Sequence, residues 1–179
     1  MNHCSKSVQG NSKTKEIVLS GLFIGMVFIA TMFINIRLPI AINGGLIHLG
    51  SAMVVIITLL FGRKYGTIAA SFGMCFFDLL GGWVQWAPFT FLIKGSMAYL
   101  MGTIAYACGR EGNDVLWNIL GIVVGGIWMI VGYYVAEVIL FGNWVAPITS
   151  IPGMAIQIFA AMLFGLPIAT ALKKTKIHI

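Results

Sequence analysis

Apolar residues fall into six runs of helical length: Ile17–Ile36, Leu46–Phe61, Gly66–Gly82, Phe89–Cys108, Val115–Phe141 and Ile151–Leu172. A helix needs roughly 20 apolar residues to cross a bilayer, so the pattern predicts six transmembrane helices. The breaks between runs alternate in character. Those after the second and fourth runs are tight and charged, Gly62-Arg63-Lys64-Tyr65 and Gly109–Asp114. The other three are longer and uncharged apart from Arg37. They are Arg37–Gly45, with Pro39 and Gly44-Gly45, then Trp83–Pro88, then Gly142–Ser150, with Asn143, Trp144 and Pro147. Loops of this second kind are suited to lie as lids over an outward-facing pocket.

The basic residues sort by side. With the N-terminus inside, nine of those outside the runs are cytoplasmic: Lys6, Lys13, Lys15, Arg63, Lys64, Arg110, Lys173, Lys174 and Lys176. Only Arg37 is external. The positive-inside rule therefore sets the orientation. The expected fold class is an all-α membrane protein, a bundle of six transmembrane helices with both termini cytoplasmic. Residues 1–16 form a polar tail, 17–172 the membrane domain and 173–179 a basic tail.

Small residues recur at four-residue spacing: Gly21 and Gly25, Gly66 and Ala70, Ala98 and Gly102, Gly121 and Gly125, then Ala161, Gly165 and Ala169. Such spacing lets helices approach closely in lipid. For most of them packing inside the bundle is the plain expectation. The fifth run is long enough to tilt or to start with an interfacial turn at Val115–Trp117.

Composition narrows the function. The 179 residues are 59% apolar and 9% charged, where a soluble domain carries about 25% charged residues. The runs leave no room for an extramembrane catalytic or ATPase domain within this sequence. The net charge of +6 is mostly the positive-inside signature, which disfavours nucleic acid as a partner. Cys4, Cys75 and Cys108 have neither metal-ligand spacing nor a disulfide framework. The first apolar run exceeds the 7–15 residues of a signal-peptide core and lacks a convincing cleavage site, so a retained first span is expected.

Three ionisable residues lie inside runs: Asp78, Lys94 and Glu137. Each costs on the order of 2.5–3.5 kcal/mol at a helix centre and less near an end, so such residues normally face the interior and mark a functional path. All three fall at a similar depth below the outer surface, given about 1.5 Å of rise per residue. The alternative is that Lys94 snorkels outward and the acids pair with it structurally. His48, at the start of the second run, lies at the same level, as does Gln157. Gly153 and Ala161 flank Gln157 on one face. Tyr133 lies one turn before Glu137. A structural hydrogen-bonding role for His48 and Gln157 stays open. Trp83, Trp86 and Trp144 sit at the outer boundary, either as an interfacial belt or, with Gln85 between the first two, as cover for a flat aromatic ligand.

Nothing points to catalysis. There is no nucleophile elbow, paired-histidine metal motif or phosphate loop, and neither a metal nor a cofactor is expected. The inner halves of the runs lack ionisable residues, against an ion channel or a continuous proton relay.

Several stretches carry a resemblance: Ile47-His48-Leu49-Gly50-Ser51-Ala52-Met53, Leu60-Phe61-Gly62-Arg63-Lys64-Tyr65-Gly66, Asp78-Leu79-Leu80-Gly81-Gly82-Trp83, and Trp86-Ala87-Pro88-Phe89-Thr90 with Ile93-Lys94-Gly95. They resemble the substrate-binding S components of energy-coupling-factor (ECF) vitamin transporters, nearest the riboflavin, pyridoxine and hydroxymethylpyrimidine branch. The likeness is densest over residues 43–102. It implies a bacterial plasma-membrane subunit that binds one vitamin at its extracellular side. That subunit joins a transmembrane coupling protein and two cytoplasmic ATPases, and topples to deliver its load. The implied substrate is a flat heteroaromatic vitamin, with pyridoxine or hydroxymethylpyrimidine ahead of riboflavin and thiamin. The implied site draws on helices three to six and the first outer loop, with Lys94, Asp78, Glu137, His48, Gln157, Trp83, Trp86 and Tyr133 as its candidates. The family's docking motif on the first helix is usually alanine; here Gly21 and Gly25 occupy the matching place. A stand-alone secondary carrier and a small membrane enzyme or assembly factor are the rival readings.

Overall fold

The computed structural model describes residues 3–33, 35–37 and 46–175. The stretch 38–45 of the first outer loop, including Pro39 and Gly44-Gly45, lies outside the described residues, as does Lys176. Six α-helices make up the described chain: α1 His3–Phe33, α2 Gly50–Phe61, α3 Arg63–Leu80, α4 Ala87–Ala105, α5 Val115–Phe141 and α6 Ile151–Lys174. Between α1 and α2, strands β1 (Asn35–Arg37) and β2 (Leu46–His48) pair antiparallel, with Ile36 opposite Ile47.

Among the described residues, three segments are long and apolar enough to cross a membrane: Lys13–Phe33, Val115–Phe141 and Ala146–Lys174. Helix α2 has 12 residues, about 18 Å at 1.5 Å per residue, short of a hydrocarbon core of about 30 Å.

Several boundaries differ from those expected. Residues 1–16 are expected as a tail, and α1 extends through them, helical from His3. Lys13, Lys15 and Glu16 are good helix formers, and Glu16 accepts from Lys64 at 2.7 Å. The second run splits: residues 46–48 are strand and the helix starts at Gly50. A short apolar stretch reads equally well as strand or helix, and here the hairpin partner decides. Of the two expectations for the fifth run, a tilt or an interfacial turn at Val115–Trp117, the turn is absent. Helix α5 runs unbroken from Val115, because the Asp114 side chain caps it by accepting from the Leu116 and Trp117 amides. It stops at Gly142, whose φ of 64° is left-handed.

Close helix contacts sit where small residues permit them. A Cβ on Gly121 would lie 2.8 Å from the Met101 carbonyl oxygen, one on Gly102 2.7 Å from Arg63 Cα, and one on Gly165 2.9 Å from Val55 Cβ. Gly73 brings α3 against α1, where a Cβ would meet Val27 at 2.8 Å. Helix α1 turns Phe23, Val27 and Thr31 inward. Gly21 and Gly25 are the exception among these pairs, since an added Cβ would find nothing within 4 Å. Gly121→Ala is accordingly expected to force α4 and α5 apart at a cost of about 1–3 kcal/mol. Gly21→Ala should be neutral or slightly stabilising, since alanine is the better helix former. Thermal unfolding of the two variants in detergent checks this contrast.

Lys64, Arg110 and Lys173, unlike Lys94, gather at one end. Besides the Lys64–Glu16 pair, the Lys173 ammonium bonds the Glu111 carbonyl oxygen and lies 5.4 Å from the Tyr106 ring. Tyr106 donates to the Leu59 carbonyl oxygen at 3.0 Å. These contacts join the middle of α1, the α2–α3 junction, the α4–α5 connection and the end of α6.

Candidate functional site: a polar cavity at the end away from the basic residues

The opposite end is shaped by turns that the sequence makes local. Gly82, with φ of 83°, ends α3 and lets Trp83 donate its amide to the Asp78 carbonyl oxygen at 2.8 Å. The Trp86 amide donates to the Trp83 carbonyl oxygen at 2.8 Å, and Pro88 sits in the first turn of α4, where its missing N–H is no loss. The turn thus sets Trp83 and Trp86 beside Asp78. Ala146–Ser150, a 3-10 turn, leads into α6 and carries Ser150 to the same place.

Between these elements lies a cavity of about 130 Å³. All eight candidates line it: His48 from β2, Asp78 from α3, Trp83 and Trp86 from the connection, Lys94 from α4, Tyr133 and Glu137 from α5, and Gln157 from α6. Three ionisable side chains on three helices thus converge, as their common depth predicts. Trp144 does not take part and is 70% exposed, its carbonyl oxygen accepting from Tyr134.

The hydrogen bonds form two groups. Lys94 is buried, and its ammonium donates to Ser51 Oγ at 3.2 Å and to Met129 Sδ at 3.0 Å. It also lies 5.6 Å from the Tyr133 ring centre, within cation–π range. Gln157 Nε2 lies 3.1 Å from the same Ser51 Oγ and 2.8 Å from His48 Nε2. In the second group Tyr133 donates to Thr90 Oγ1 at 3.1 Å, and Thr90 neighbours the Asp78 carboxyl group. Ser150 donates to Glu137 Oε2 at 3.0 Å. Two buried polar atoms on the cavity wall have no hydrogen-bond partner among the described residues, His48 Nδ1 and Asp78 Oδ2.

Lys94 therefore does not snorkel. It is 2% exposed and its donors go to a hydroxyl and a thioether, not to a carboxylate. Among the described residues no carboxylate pairs with it directly, Asp78 acting on it only through charge at longer range, so its burial is costly in a membrane.

Aromatic rings supply the remaining wall. The Trp86 ring lies 6.3 Å from Tyr133 and 6.1 Å from Phe141. Phe77 and Met74 add apolar surface.

Sequence reasoning did not select Ser51, Thr90 or Ser150 as site residues. Two had a usable signal: Thr90 precedes Lys94 by one turn on α4, and Ser51 follows His48 by three residues. Ser150 is separated from Glu137 by a whole loop, and its approach is visible only in three dimensions.

Such a cavity in an apolar helical protein, polar at one end and basic at the other, defines a membrane protein built to hold a small ligand. Residues 11–174 match the family model described as the ECF-type riboflavin transporter, S component. The chain belongs to that family, which is one of transporter subunits and not of enzymes. It is also similar to a protein of Pyrococcus woesei described as an uncharacterized protein in gap 3'region. The two are 32% identical over 116 residues, 65% of this chain and 74% of the relative.

Proposed function

We propose that the protein is the substrate-binding and translocating subunit of an ATP-driven vitamin importer. It captures a flat heteroaromatic vitamin in the cavity from the outer side. It works with a transmembrane coupling protein and two ATPase subunits on the cytoplasmic side, which supply the hydrolysis. Within residues 17–172 the six helices cross or enter the membrane. Both termini are cytoplasmic, with 1–16 and 173–179 flanking the membrane domain. The observation that carries this reading is the meeting of eight polar and aromatic residues around one cavity, at the end away from the basic residues.

Lys94, Asp78, Glu137, His48 and Gln157 act as the polar contacts, and Trp83, Trp86 and Tyr133 as the stacking surface. Ligand sites commonly combine an apolar, aromatic lining with a few placed polar groups. Riboflavin becomes the first ligand to test because the family's description names it; pyridoxine, hydroxymethylpyrimidine and thiamin follow. Mass spectrometry of the purified protein should find one of these vitamins co-purifying. Titration with each of the four should rank one well above the others, and failure of all four to bind would refute the reading.

The orientation has its own test. Cysteines placed at Gln85 and Asn143 should react with a membrane-impermeant reagent added to intact cells, and cysteines at Lys64 and Lys174 should not. External labelling at Lys64 would overturn the topology.

A further inference from the structure

The basic end of the bundle holds an arginine in place without neutralising it. Lys64 pairs with Glu16, Arg110 lies 3.6 Å from Asp114, and the Lys173 ammonium bonds the Glu111 carbonyl oxygen. Arg63, by contrast, has no ion-pair partner among the described residues. Its backbone is fixed, because it is the first residue of α3 and a Cβ on Gly102 of α4 would meet its Cα at 2.7 Å. Its side chain is exposed, and the guanidinium lies 5.4 Å from the centre of the Tyr99 ring, within cation–π range.

A polar line continues from Tyr99 along the outside of α4. Ser96, Tyr99 and Thr103 share one helix face by their three- and four-residue spacing. Tyr99 and Thr103 are exposed and Ser96 is half-buried. Tyr99 stands six residues before the end of α4 at Ala105, about 9 Å along the axis, and Ser96 about 14 Å. Ser96 Oγ accepts from Trp128 Nε1 at 2.8 Å. Trp128 is exposed at the midpoint of α5, although tryptophans of membrane proteins concentrate at the interfaces. Exposed Leu92 and Val131 stand one turn from Ser96 and Trp128. A cation at the membrane surface, then hydroxyls, then aromatic and apolar surface repeat the order of groups along a phospholipid.

We propose that this outer face of α3, α4 and α5 binds one anionic phospholipid of the cytoplasmic leaflet. Arg63 holds the phosphate, with the Tyr99 hydroxyl beside it, and an acyl chain lies over Trp128. The cytoplasmic leaflet carries the anionic lipids and attracts basic side chains at its surface. A guanidinium matches a phosphate with two parallel hydrogen bonds, and the Tyr99 ring holds it ready, so little freedom is lost on binding. The face lies outside the bundle, apart from the polar cavity.

The test is native mass spectrometry of the full-length protein in detergent, titrated with phosphatidylglycerol and with phosphatidylcholine of the same acyl chains. The natural protein should hold the anionic lipid about tenfold more tightly, as expected for one charge-assisted contact. Arg63→Gln should remove that preference. Lys64→Gln should keep it, because Glu16 already engages Lys64. Trp128→Leu should weaken both lipids equally and leave the preference intact. Equal retention of the two lipids by the natural protein would overturn the proposal. So would equal losses in Arg63→Gln and Lys64→Gln, the mark of diffuse attraction to the basic end, or a second copy of the chain that added lipid does not displace from this face. The comparison of lipids on the natural protein needs no variant, so the test stands even if a variant fails to fold. Binding in detergent does not depend on sidedness, so failure here is distinct from failure of the cysteine-labelling test of orientation.

Discussion

Replacing Gly21 and Gly25 together by leucine is expected to abolish vitamin uptake and assembly with the coupling protein, while the isolated protein still binds its ligand. The reason lies in what the two positions touch. Every other glycine of a four-spaced pair sits against a neighbouring helix, as Gly121 does against Met101 and Gly165 against Val55. Gly21 and Gly25 sit against nothing within 4 Å, on the face of α1 opposite Phe23 and Val27, with exposed Leu22, Met26 and Ile29 beside them. Leucine there disturbs no internal contact, and it gains roughly 0.8–1 kcal/mol of helix propensity over glycine at each site. It would, however, hold off any helix that packs closely on this face. Co-purification of the coupling protein and ATPases with the double variant reads assembly, and ligand titration reads the fold. Loss of ligand binding together with assembly would show that the glycines serve the fold. Uptake that persists in a host without the coupling module would favour the stand-alone carrier.

How much of this was legible in the sequence depended on whether the cause was local. The apolar run Val115–Phe141 coincides with α5, whose ends Asp114 and Gly142 fix in the structure. The small-residue pairs were readable as close contacts, but not as two classes. Only the structure separates Gly21 and Gly25 from Gly121 and Gly125, because spacing along one helix does not say whether another helix lies opposite. The strand at Leu46–His48 was not readable. Its pairing with Asn35–Arg37 is a contact between two segments, and the apolar run through both strand and helix hides the junction. Residues 38–45, which the resemblance assigns to the site, lie outside the described residues.

The cavity was legible for a physical reason. In an apolar bundle each buried charge has few reasons to exist, so Asp78, Lys94 and Glu137 stood out, and helix geometry gave their depth. The bonding was not legible. Sequence reasoning allowed Lys94 to pair with the acids, whereas in the structure it rests on Ser51 and Met129. The uncharged partners Thr90, Ser51 and Ser150 escaped notice because hydroxyl residues are cheap in helices and do not announce a site.

Lys94→Met is therefore expected to separate function from stability. Methionine keeps much of the lysine stem's volume and adapts to irregular gaps, so the cavity wall keeps its shape. The variant loses the ammonium that faces the cavity, and vitamin affinity should fall about ten- to a hundredfold, the cost of a hydrogen bond to a charged group. The unfolding temperature should stay the same or rise. A buried ammonium bonded only to a hydroxyl and a thioether costs on the order of 2.5–3.5 kcal/mol at the centre of a transmembrane helix and less towards its end, and the substitution relieves that cost. A structural lysine would behave in the opposite way, since removing one partner of a buried pair leaves an uncompensated charge and destabilises by roughly 3–5 kcal/mol. Ligand titration and thermal unfolding of Lys94→Met, beside Asp78→Ala and Glu137→Ala, distinguish the two. A marked drop in unfolding temperature with unchanged affinity would make Lys94 a structural residue and move the binding site elsewhere.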